Sequence, residues 1–95
     1  MQTYDPVDYP HPGQELLTEL ESIGLSMRAF AHYIGEKAEV VSELCAGNIP
    51  MTALLACKVS RALGGGPMKW MQMQVNYDLV RVDTVLYDSI KTLGE

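Results

Sequence analysis

From Leu16 to Trp70 the apolar residues return every three or four positions, the spacing of helices that each bury one face, and no convincing two-residue alternation interrupts them. Five helices follow. The first begins near Pro12, a residue suited to an initial helical position, and buries Leu16, Leu17, Leu20 and Ile23 while Glu15, Glu19 and Ser22 face outward. A second runs from Ser26, whose hydroxyl caps a free amide, to Gly35; a third spans about Lys37 to Ala46 and is closed by Gly47. The fourth, capped by Thr52, turns Leu55, Val59 and Ala62 inward and leaves Lys58 and Arg61 on its outer side. Gly64-Gly65-Gly66 breaks it, and Pro67 starts a fifth helix that runs at least to Val82. Trp70, Met71, Gln74, Tyr77 and Leu79 spread over more than one face of that helix, so part of it is expected to pack on a second subunit. Residues 1–10, with Pro6 and Pro10, form an extended arm, and residues 11–95 form one domain ending in a dimerisation helix. Val85-Leu86-Tyr87 fits a short strand or a last helical turn equally well.

The second and third segments carry the pattern of a helix-turn-helix. Phe30 and Ala31, Ile34 and Gly35, then Val41 and Leu44 place apolar, small and glycine residues where two short helices cross at a tight turn. Ala31 is small because a helix passes over it, and Gly35 supplies the positive φ that reverses the chain. The flanking phrases are equally specific: His11-Pro12-Gly13, Ser60-Arg61-Ala62-Leu63-Gly64, and Trp70 followed by Gln74, Asn76, Tyr77, Asp78 and Leu79. From His11 to about Leu79 the chain resembles the HigA-like, or VapI-like, antitoxins of type II toxin–antitoxin systems, within the phage and bacterial repressor superfamily. The resemblance implies an all-α, five-helix lambda-repressor-like bundle with a longer C-terminal helix, dimeric and without a cofactor. It further implies a transcriptional autorepressor whose partners are operator DNA and a small, basic mRNA-endonuclease toxin.

Composition agrees with one small domain. Ninety-five residues, 47% of them hydrophobic, can bury one core, and no apolar run approaches the roughly 20 residues of a membrane span. With no basic-then-apolar N-terminal segment, the expected location is the cytoplasm, where Cys45 and Cys57 stay reduced as core thiols. The net charge of −5 opposes approach to phosphates, but it is unevenly placed. Asp5, Asp8, Glu15, Glu19 and Glu21 stand before Ser26 with no base among them, whereas bases outnumber acids from Ser26 to Val75. The acidic Glu15, Glu19 and Glu21, with the Asp5/Asp8 arm, would suit a basic toxin.

Enzymatic chemistry finds no constellation. His11 and His32 lack acid or thiol neighbours at triad or metal-ligand spacing, and the triple glycine follows a helix without the lysine and hydroxyl of a nucleotide loop. Neither an enzyme nor a small-molecule substrate is expected. Met68, Met71 and Met73 are read as filling around Trp70.

The recognition helix departs from its relatives. Where they often carry a phosphate-touching glutamine stands Met27; after the turn glycine, an apolar residue and a Ser or Thr cap are replaced by Glu36 and Lys37; and Asn48, Ile49 and Pro50 occupy a loop that is often basic. The side chains left for DNA are Arg28, Lys37, Ala38, Glu39, Ser42 and Glu43, with Ala46 at the far end. Glutamate can accept from cytosine N4, so Glu39 is compatible with base reading. Dimer contacts are expected at Tyr77, Leu79, Val82 and Leu86. The alternative is a protein-binding adaptor that keeps the packing of a helix-turn-helix and has lost strong DNA binding.

Overall fold

A computed structural model describes residues 5–94. Its five α-helices are α1 (Pro12–Ile23), α2 (Met27–Ile34), α3 (Ala38–Cys45), α4 (Ala53–Leu63) and α5 (Pro67–Leu79), with single 3-10 turns at Pro6–Asp8 and Thr84–Leu86. The described residues contain no strand. Helices α1, α2 and α4 are capped by side chains at their starts: His11 Nδ1 accepts from the Gly13 amide at 2.9 Å, Ser26 Oγ from Ala29 at 3.1 Å, and Thr52 Oγ1 from Leu55 at 3.2 Å.

The first three helices end in one motif. At Gly24, Gly35 and Gly47 the chain takes a positive φ. The next amide then reaches back to the carbonyl five residues earlier, pairing Leu25 with Leu20, Glu36 with Ala31 and Asn48 with Glu43. That geometry corrects the expected burial of α1. Leu16 and Leu20 are buried and Leu17 half-buried, but Ile23 is 59% exposed, because the chain reverses after it and Leu25 packs on the core instead.

The core joins Leu16, Leu20, Phe30, Ala31, Val41, Leu44, Met51, Leu55, Ala56, Val59 and Trp70. Helix α1 packs so closely on α3 that a Cβ on Gly13 would overlap the Leu44 carbonyl oxygen. Ala31 on α2 is buried within this core. Met71 and Met73 pack, partly buried, against the core that contains Trp70, but Met68 is exposed. Cys45 is half-buried, and burial pushes its thiol upward. Cys57, expected in the core, lies exposed on the side of α4 that also shows Leu54 and Arg61.

The two ends of the chain differ from expectation. Residues 1–4 of the arm and Glu95 lie outside the described residues. The rest of the arm is not simply extended: Pro6–Asp8 forms a 3-10 turn held by Asp5, and Arg81 donates to the carbonyls of Tyr9 (3.0 Å), Pro6 (3.3 Å) and Tyr77 (3.0 Å). Helix α5 stops at Leu79 rather than at Val82 or beyond, and Thr84–Leu86 is a 3-10 turn, neither strand nor α-helix. Arg81 turns back to the arm where another helical turn would have continued. From Arg81 to Gly94 every residue is exposed, and the radius of gyration of 16.1 Å exceeds the about 12 Å of a compact chain this long.

Candidate nucleic-acid interface

Burial sorts the recognition helix into two faces. Val41 and Leu44 are buried, Val40 and Cys45 half-buried against the core, and Lys37, Glu39, Ser42, Glu43 and Ala46 are exposed, with Ala38 intermediate. This is the division expected from the apolar spacing. Arg28, in the first turn of α2, is also exposed. Among the described residues, no ion pair engages Arg28, Lys37, Glu39 or Glu43. Lys37 occupies the N-cap position of α3 without capping it, and Glu39 in the first turn partly compensates by placing an acid near the free amides.

The helix is fixed from behind by contacts that span the chain. The α3–α4 loop is held twice: the Met51 amide donates to Gln74 Oε1 at 2.7 Å, and the His11 side chain hydrogen-bonds the Ile49 carbonyl. Gln74 Nε2 in turn donates to Asp78 Oδ1 at 2.9 Å, so the buried amide of α5 is satisfied on both sides. His11 also meets the Tyr77 ring edge-on, centroids 4.9 Å apart. Burial holds the His11 imidazole below its ordinary value, against the raising influence of the Ile49 carbonyl and Asp78.

One ion pair sits at the turn itself. Glu36 Oε2 lies 2.7 Å from Lys58 Nζ on α4, in a partly buried setting. Lys58 is therefore not a free outer-face cation. The acidic face of α1 is likewise partly neutralised: Lys69 on α5 lies 2.9 Å from Glu19 and 3.9 Å from Glu15, while Glu21 has no ion pair among the described residues. Of the residues expected at a dimer contact, Tyr77 already packs on His11 and under the Arg81 guanidinium. Leu79, Val82 and Leu86 are 65%, 45% and 76% exposed. The Lys58–Glu36, Gln74–Met51 and Arg81–arm contacts join residues more than 20 positions apart, and no periodicity announces them.

Five helices with a buried small residue at the crossing, a glycine turn and an exposed third helix define a helix-turn-helix protein of the lambda-repressor-like class. No protein-family model matches the chain. Antitoxin HigA-1 of Vibrio cholerae is 37% identical over 68 residues, 70% of this chain and 64% of that protein. An addiction-module antidote protein of the HigA family from Coxiella burnetii has the same fold, with a TM-score of 0.73 and 26% identity over 76% of this chain and 79% of the other. Pseudomonas aeruginosa antitoxin HigA, solved with the higBA promoter, superposes with a TM-score of 0.82 at 23% identity, covering 90% and 98% of the two chains. By sequence and fold together the chain is similar to HigA-like helix-turn-helix proteins. All three of these relatives are antitoxins or antidote proteins by name.

Proposed function

We propose that this protein is a cytoplasmic antitoxin and autorepressor, a homodimer that binds its own operator through α2 and α3 and neutralises a cognate toxin. The carrying observation is the outer face of α3. Lys37, Glu39, Ser42 and Glu43 are exposed and, among the described residues, uncommitted to ion pairs on a helix locked from behind, in a chain similar to HigA antitoxins, one of them solved with promoter DNA. A rigid helix with free polar side chains is what base reading in a major groove requires. Arg28 and Lys37 would hold phosphates, while Glu39 and Ser42, with Ala38 and Glu43 beside them, would face base edges.

Two half-sites need two copies, and the apolar Leu79, Val82 and Leu86, left uncovered at the end of α5, supply a surface for the second. The toxin partner is a small, basic mRNA endonuclease. Glu15, Glu19 and Glu21 with Asp5 and Asp8 form the complementary face, although Lys69 tempers the first two.

A gel-shift series on the gene's upstream region, at low and physiological salt, tests the repressor half. Retardation that needs a paired site is expected; none at either salt would leave the adaptor reading. Co-expression with the adjacent open reading frame tests the antitoxin half: cells that die from the neighbour alone should survive with this protein present.

A further inference from the structure

Glu36 stands where the same helix-ending motif after α1 places an apolar residue. After α1 the motif puts Leu25 onto the core; after α2 it puts a carboxylate toward the body of the bundle. The Glu36 side chain is only 19% exposed and is met by Lys58, itself 28% exposed, at 2.7 Å. Released from Lys58, the carboxylate would swing toward water beside Lys37, at the start of the recognition helix. There it would oppose the phosphates that Lys37 is placed to meet. Charges closer than the Debye length, about 8 Å at physiological ionic strength, are only partly screened.

We propose that Lys58 is a positioning residue for DNA reading: it neutralises Glu36 and holds its carboxylate against α4, away from the phosphate path beside Lys37. This rests on operator binding through α2 and α3. It also accounts for how this chain carries an acid directly after the turn glycine and keeps a usable recognition helix. Lys58 does its work from behind the interface, with its ammonium committed to the turn.

The test compares K58M, E36Q and the double variant K58M/E36Q with wild-type protein on the operator duplex, after circular dichroism melts have shown each to be folded. K58M is expected to bind about three- to tenfold more weakly. E36Q should bind at least as well as wild type, because Lys58 can extend into water once its partner is neutral. The double variant should recover to within about twofold, with the wild-type salt slope. If E36Q is as weak as K58M, the pair is only a mechanical tether and the proposal fails. If the double variant stays weak and its salt slope falls by about one unit, Lys58 itself meets a phosphate and the proposal also fails. K58M binding like wild type overturns it directly. Wild-type protein that leaves the operator unshifted overturns the operator reading and this inference together.

Discussion

The Arg81 guanidinium stacks on the Tyr77 ring, 3.7 Å from its centre, and from that position reaches the carbonyls of Tyr9, Pro6 and Tyr77. One planar cation thus ties the arm to the end of α5. Lysine, with a single ammonium and no plane to stack, cannot serve the same set.

Arg81→Ala should free the arm without unfolding the bundle. Hydrogen exchange at the Tyr9 amide, which donates to Pro6, should quicken at least tenfold, with a global loss of about 1 kcal/mol. Unchanged exchange at Tyr9 would mean that the 3-10 turn holds itself.

Gly13→Ala should be among the most disruptive single changes. The new Cβ would overlap the Leu44 carbonyl oxygen, so α1 and α3 must separate, at a cost on the order of 3 kcal/mol or more. Gly65→Ala meets nothing within 4 Å and bears only the strain of its positive φ, about 1 kcal/mol. Chemical denaturation of the two variants should separate them clearly; equal losses would show that the α1–α3 approach can relax.

His11 predicts a pH dependence. Its folded-state value lies below the ordinary 6.5, so the unfolded chain takes up the proton first as pH falls. The contribution of His11 is complete above pH 6.5 and is lost as pH falls through the lowered folded value, where protonated Nδ1 can no longer accept from Gly13. Urea midpoints for wild type and His11→Asn should diverge in their pH dependence over that window, because asparagine caps without titrating. Parallel curves would rule the imidazole out.

How much of this the sequence could disclose depends on range. Ser26, Gly35, Thr52 and Gly64 mark helix ends by local chemistry, and the inward set Phe30, Ala31, Val41 and Leu44 follows from spacing alone. The exposed face of α3 was legible for the same reason. Lys58 reaching Glu36, Lys69 reaching Glu19 and Arg81 reaching Tyr9 depend on how helices are stacked, which spacing within one helix does not specify. Those contacts changed the meaning of Lys58 and of the acidic face, and the Arg81 contact accompanies the early end of α5.

Within the proposed DNA surface, Lys37→Ala should weaken all sequences alike and lower the salt slope by about one unit. Glu39→Ala should relax preference at one base pair and raise affinity for random duplex. Competition gel shifts read both effects; a Lys37→Ala loss confined to the operator would assign Lys37 to a base instead.

The proposed dimer surface is tested by Leu79→Glu and Val82→Glu. Each should yield monomers in light scattering at micromolar concentration and weaken operator binding by removing the second half-site. Dimers that persist in both variants would move the interface away from the end of α5.

Trp70, the chain's single tryptophan, is fully buried, and its indole Nε1 meets no acceptor among the described residues. A fluorophore so fully buried emits at shorter wavelength than it does in water and reports the loosening of the core directly. Because it lies on α5 rather than on α2 or α3, its signal should follow unfolding with high contrast and stay nearly silent while DNA is titrated. Stability and operator affinity can therefore be followed in one sample, by the native tryptophan and by a label on the duplex, without either readout contaminating the other.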